Sequence, residues 1–429
     1  MRKLRFVSWR MLFYYIAIFI IFNESFLSSL SYIYVLKFNR LINLSMDFFA
    51  LLLFVSAQYT YHSSENRVYD SITKILVGGM LVFYFVGMFL YPVYSTQTSR
   101  FIIVILFFLI GYRDDRWIDV FLKLLFLFGI VYILTTIWFS IDKTIYYNYF
   151  AFKMYPNYLN YDYINSSGMA GITDHYSTNG MMLANISILL FAFLLSRMNK
   201  ISITYLALFS ASIMALILCG KRAHFAFVIV ACFLTYLIID YKKKGKISKT
   251  FLVIFLLFVI YNLLATYSPE FQSLISRFDN MTESRTTLIR YQLWASSIVG
   301  FYKNPIFGVG WPGGRELTLN VMAGNQDVHN EFIQILCETG IVGTVFFLGF
   351  MVLACIAAIK LLLICSDNDL TYNKRTRCCV IFSFAYQIFF IIYCITASPL
   401  HQAYTSNCYY FAAFLSIYIY TNRNKYFIR

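Results

Sequence analysis

His329 opens the segment DVHNEFIQILCETGIVG, at the head of a long apolar run. Imidazole titrates near neutrality, so a neutral histidine at such a mouth can take a proton from a hydroxyl. Asn330, Gln334 and Glu338 follow at i, i+4 and i+8 and share one face of a helix. Glu338 would lie about two turns inside the apolar run, where an ionisable group is costly and faces a cavity or a partner. Hydrogen bonding between helices is the plainer role for it. On an ideal helix His329 points away from Glu338, so a direct pair would need a kink or a non-helical His329.

Cations gather in the preceding stretch, at Arg277, Arg285, Arg290 and Arg315. Residues 284–302 (SRTTLIRYQLWASSIVGFY) carry apolar residues at helical spacing, with Ser284 or Thr286 as a cap. Arg290 and Trp294 stand one turn apart and can stack on one face. Planar guanidinium groups suit phosphate oxygens, while lipid head-group anchoring is the plainer reading of any one of them. Upstream, CGKRAHFAF puts Lys221 and Arg222 where two apolar runs meet, and the start of the second helix also favours an anion. His175 in GITDHYSTNG heads another run, either within an Asp174–His175 cap or as a substrate contact. Together these residues suggest one site for a lipid diphosphate. Arginines would neutralise the leaving group, and His329 would act as base toward an attacking sugar hydroxyl. The outer loops hold no acidic cluster suited to a divalent metal, so arginine would carry that role and no metal or cofactor is expected.

The elements that position these residues are membrane helices. The chain has 429 residues, 60% of them hydrophobic and only 13% charged. A soluble domain carries roughly 25% charged residues. Apolar runs near the ~20 residues needed to cross a bilayer recur throughout, and each must be helical to satisfy its own backbone. Spans are expected at about 11–33, 42–60, 74–94, 99–112, 118–139, 178–196, 201–219, 222–240, 250–267, 330–359, 378–397 and 403–421. The fold class is thus an all-α polytopic integral membrane protein with about 12 transmembrane helices, a single membrane domain over 1–429. Basic residues concentrate in alternate short connections, which puts both termini in the cytoplasm. The outer turns 95–98 and 398–402 carry no Lys or Arg. Two outer loops are long: 140–177, rich in Tyr and Asn, and the partly helical 268–329. The nine cysteines lie in or beside apolar runs without CxxC spacing, as small buried hydrophobes do. The net charge of +15 sits mostly in short loops, so it sets orientation and implies no nucleic-acid partner. GVGWPGG at 308–314 lacks the lysine of a phosphate-binding loop, and no other nucleotide or protease motif is present.

The order Arg290–Trp294, then Asn304–Pro305–Ile306–Phe307–Gly308–Val309–Gly310, then His329–Asn330–Glu331–Phe332, then Glu338–Thr339–Gly340–Ile341–Val342–Gly343 resembles the O-antigen polymerase and O-antigen ligase superfamily of bacterial polysaccharide assembly. Arg222 is similar to a recurring arginine of that family. The resemblance implies a metal-independent glycosyltransferase, GT-C-like in fold. It would use glycans on undecaprenyl diphosphate at the outer face of the plasma (inner) membrane. By analogy His329 is the base, and Arg222 and Arg290, with Lys221 and Arg285, hold the diphosphate. Asn330, Gln334 and Glu338 support the site, and His175 and Trp294 are candidate substrate contacts. Partners would be the lipid-linked glycans, membrane lipids and a chain-length regulator. Polymerase is the expected activity, because each polysaccharide needs a polymerase matched to its repeat unit. Ligase shares the donor and reaction type and stays open. A transporter of lipid-linked sugars fits less well, since its charges would lie near the midplane of broken helices. An Arg-x10-Gly pattern described for some polymerases occurs only from Arg100 to Gly111, inside an expected span, and carries no weight.

Overall fold

In lipid a backbone must bond to itself, and the apolar runs accordingly fold into helices. The computed structural model describes residues 9–27, 40–59, 69–110, 114–146, 148, 168–173, 175–196, 202–243, 245–279, 285–318, 326–366 and 372–427. The longer helices in chain order are α1 Trp9–Ile21, α2 Arg40–Tyr59, α3 Ser71–Leu90, α4 Ser95–Ile110, α5 Arg116–Ile141, α6 Tyr176–Ser196 and α7 Ile203–Cys219. They continue as α8 Arg222–Ile238, α9 Lys246–Tyr267, α10 Pro269–Asp279, α11 Arg285–Lys303, α12 Glu331–Ile364, α13 Lys374–Cys394 and α14 Ala403–Thr421. Among the described residues, seven helices are long and apolar enough to cross a membrane by length and composition, and further apolar helices are shorter. Among the described residues the architecture is all-helical, that of a multi-pass membrane protein. Each expected span overlaps a helix. The tyrosine-rich centre of the first long loop, 149–167, lies outside the described residues.

Burial sorts the helices. α6, α13 and α14 are buried along most of their length, whereas α9 buries none of its residues. Rings fill the centre: Phe121 stacks on Phe411 at 3.8 Å and Phe390 on Tyr409 at 4.0 Å. Some polar groups inside find partners across helices. Tyr84 and Tyr410 share a hydroxyl contact of 2.7 Å, and Tyr386 donates to Asn185 Oδ1 at 2.9 Å. Ion pairs tie one end of the bundle. Buried Arg377 meets Asp240 at 2.6 Å, and Arg375 meets Asp119 at 2.7 Å.

One helix is broken. In α12 the backbone at Gly340 is non-helical (φ 60°, ψ −166°). The loop after α11 enters the gap and supplies the missing partners. Val309 N donates to Cys337 O at 3.0 Å and Gly310 N to Glu338 O at 2.8 Å. Ile341 N donates to Pro305 O at 2.9 Å and Val342 N to Ile306 O at 3.1 Å. The approach excludes side chains: a β-carbon on Gly340 would lie 2.4 Å from Ile306 C, and one on Gly308 would lie 2.3 Å from Glu338 C. Gly340→Ala therefore combines a left-handed φ with a backbone clash, and should cost roughly 2 kcal/mol or more. Thermal unfolding of the purified protein followed by tryptophan fluorescence should show a lower midpoint. An unchanged midpoint would mean the loop does not depend on this close packing.

Candidate functional site

The segment before α12 is pinned from several sides. Asn330 caps the helix, its side chain accepting from Ile333 N at 3.1 Å, while its amide donates to Ile395 O at 3.3 Å. Val328 N donates to Gln334 Oε1 at 3.0 Å, and Trp294 Nε1 donates to Val328 O at 3.1 Å. Between these anchors His329 takes a left-handed backbone (φ 59°), which a residue with a β-carbon rarely adopts. Strain of this kind concentrates where a side chain must be aimed. His329 is non-helical, as a turn away from the helix line requires. Burial pushes its pKa down to about 4, helped by Arg290 and Lys221 and opposed by Asp327. The imidazole is thus neutral at physiological pH and free to accept a proton.

The fold brings Arg290 of α11 and Lys221 of the α7–α8 corner to the same electrostatic neighbourhood as His329. Gly220 makes that corner, with φ 69° ending α7. Lys221 Nζ stands 4.9 Å from the centre of the Tyr176 ring, and Arg222 is half-buried as the first residue of α8. The segment from 168 closes the corner: Met169 N donates to Leu218 O at 3.2 Å, and Cys219 Sγ donates to Tyr176 O at 3.0 Å.

The structure completes one reading and revises another. The partner left open for Glu338 is His401. His401 Nε2 lies 2.7 Å from Glu338 Oε2, and its Nδ1 lies 2.9 Å from Glu331 Oε1, an ion pair rather than an aligned hydrogen bond. Gln334 Nε2 and Gly314 N donate to Glu338 Oε1 at 3.0 and 3.1 Å. Leu400 N donates to Glu331 Oε2 at 2.8 Å. Trp311 stacks on the His401 ring at 3.9 Å, covering the cation with a π-face. GVGWPGG is therefore a plug that holds an ion cluster. Arg315 also departs from the anion-binding reading: its Nε lies 2.5 Å from Asp327 Oδ1, and its other nitrogens donate to Gln97 Oε1 and His401 O, both at 3.2 Å.

The indole N–H of Trp294 is committed to Val328, and its ring meets Tyr291 edge-on at 5.4 Å. His175 Nδ1 accepts from Ser177 N at 3.1 Å, a local capping contact. Thr286 lies inside α11 rather than capping it. Ser284, Asp174 and the side chains of Arg277 and Arg285 lie outside the described residues. Sequence reasoning missed His401. The available signal was the acid pair Glu331 and Glu338, two helical turns apart on one apolar helix, which demands a buried counter-cation.

Residues 206–348 match the family model described as O-Antigen ligase. That segment is similar to the O-antigen polymerase and ligase superfamily. The match takes in Lys221, Arg222, Arg290 and His329, together with the interlocked loop and helix break. Members of the superfamily are glycosyltransferase-like enzymes acting on polysaccharide. A search of curated proteins matches nothing.

Burial lowers the affinity of His401 for its proton, but Glu338 and Glu331 outweigh it and raise the pKa to about 10. Its folded pKa exceeds the unfolded value near 6.5, so its stabilising charge is fully present below that value and is lost as pH rises through about 10. Thermal unfolding should show a marked loss of stability between about pH 6.5 and 10. His401→Gln, already destabilised by leaving two buried carboxylates unpaired, should lack that alkaline step. An identical alkaline step in both proteins would contradict the ion cluster.

Proposed function

We propose that this protein is a polysaccharide repeat-unit polymerase. In this reading it transfers a growing glycan from undecaprenyl diphosphate to the next lipid-linked repeat unit at the outer face of the plasma membrane. The observation that carries it is a neutral, half-buried His329 beside Arg290 and Lys221, within the segment that matches the superfamily. His329 takes the proton of the acceptor hydroxyl as that oxygen bonds to the anomeric carbon. The bond from that carbon to the diphosphate oxygen breaks, and Arg290, Lys221 and Arg222 neutralise the departing charge. Arg285 is a further diphosphate contact, Asn330 and Gln334 hold the His329 segment, and a GT-C-like architecture suits a lipid-fed site. A chain-length regulator is the protein partner this activity calls for.

The second reading is a ligase that transfers the finished glycan to lipid A-core, which the description of the matching family model favours. Deleting the gene separates the two. Loss of a polymerase leaves single repeat units on the acceptor, and loss of a ligase leaves long chains stranded on the carrier lipid.

Purified protein supplied with lipid-linked repeat units should elongate them. His329→Ala should lower the rate by at least about 100-fold, the scale of a lost general base. Arg290→Ala should also slow transfer strongly, through lost stabilisation of the leaving group. Normal elongation by His329→Ala would remove the assigned base.

A further inference from the structure

A cavity of about 490 Å³ opens where three connections meet. They are the short Pro92–Tyr94 turn leading into α4, the loop residues Arg315 and Asp327, and the turn from His401 to Tyr404. The volume is that of ordinary small-molecule sites, which run from roughly 300 to 1,000 Å³. Lys221, Arg222 and Arg290 do not line it. Its charges are already matched: Arg315 pairs with Asp327, and Arg100 Nε lies 3.2 Å from Asp47 Oδ2. A diphosphate would find no uncompensated cation among these two arginines. The wall instead offers the rings of Tyr94 and Tyr404, the amides of Gln97 and Gln402, and the Arg315–Asp327 pair. Tyr404 OH donates to Gln402 Oε1 at 2.5 Å, and Gln402 Nε2 approaches Asp327 Oδ2 at 3.4 Å. Aromatic faces with a web of paired donors and acceptors suit a neutral, hydroxyl-rich ligand.

Asp327 lines this cavity and stands two residues before His329 in the chain, while His329 itself is not part of the lining. An in-line displacement brings the acceptor hydroxyl in from the side away from the leaving diphosphate. Arg290 and Lys221 belong to the diphosphate in the reading above, which leaves the cavity for the incoming sugar. We propose that this cavity binds the sugar rings of the acceptor saccharide. The proposal rests on the glycosyltransferase reading.

Two probes test it with the full-length protein in nanodiscs. One is the free repeat-unit oligosaccharide released by mild acid from the lipid-linked pool of the source cells, which carries neither lipid nor diphosphate. The other is undecaprenyl diphosphate, which carries no sugar. Binding is followed by ligand-observed NMR. Gln97→Ala and Tyr404→Ala should each weaken oligosaccharide binding by about tenfold, one step on the affinity scale, with undecaprenyl diphosphate bound as by wild type. Thr96→Trp, at the cavity wall, removes no described hydrogen bond and should block the oligosaccharide by filling space. The proposal is overturned if wild type binds no oligosaccharide, or if all three variants bind it as wild type does. It is equally overturned if wild type elongates glycans and all three variants keep a normal acceptor KM. Oligosaccharide binding lost in the variants, in a wild-type protein that elongates nothing, would support the cavity and sink the polymerase reading.

Discussion

The break in α12 at Gly340 is the constraint from which the site follows. A helix interrupted inside an apolar bundle leaves amides and carbonyls without partners, and lipid offers none. Here Pro305 to Gly310 fill the gap with their own backbone, which only glycines at 308 and 340 permit. The inserted loop then carries Trp311 and Gly314 onto His401 and Glu338. Hydrogen bonds, a ring stack and an ion pair join loop, broken helix and the turn before α14. The first turns of α12 are held in place by this arrangement, and His329 stands immediately before them.

The same end of the bundle holds two histidines in opposite charge states. His401 is enclosed by two carboxylates and an indole face, and keeps its proton. Burial, helped by Arg290 and Lys221 and opposed by Asp327, makes His329 shed its proton. The first imidazole is structural, since its charge is needed to hold Glu331 and Glu338 in a dry interior. The second has the protonation state that a base requires. Asp327 links them, facing Arg315 on one side and acting on His329 on the other.

Much of this was legible in the residues. Apolar runs of spanning length gave the helices, because hydropathy reports burial in lipid directly. The helical spacing of 284–302 matched α11, and the segment at His329 was correctly read as a helix entrance. What escaped was long-range pairing. NPIFGVG and ETGIVG read as separate motifs, yet their backbones bond to each other across the break, and no local pattern encodes that contact. Glu338 pointed toward a partner, but the partner sits 63 residues away in a turn with little pattern of its own. Arg100, set aside as part of a span, lines the cavity beside Arg315, a placement fixed by packing rather than by spacing.

The central claim is electrostatic: His329 is neutral and His401 is charged at physiological pH. NMR titration of the protein with ring-labelled histidines measures both directly, with single His→Gln variants assigning the five signals. The expected result is a His329 ring that stays neutral down to about pH 4 and a His401 ring that stays protonated to about pH 10. A His329 ring that is protonated at pH 7, or two rings that both titrate near 6.5, would contradict the account.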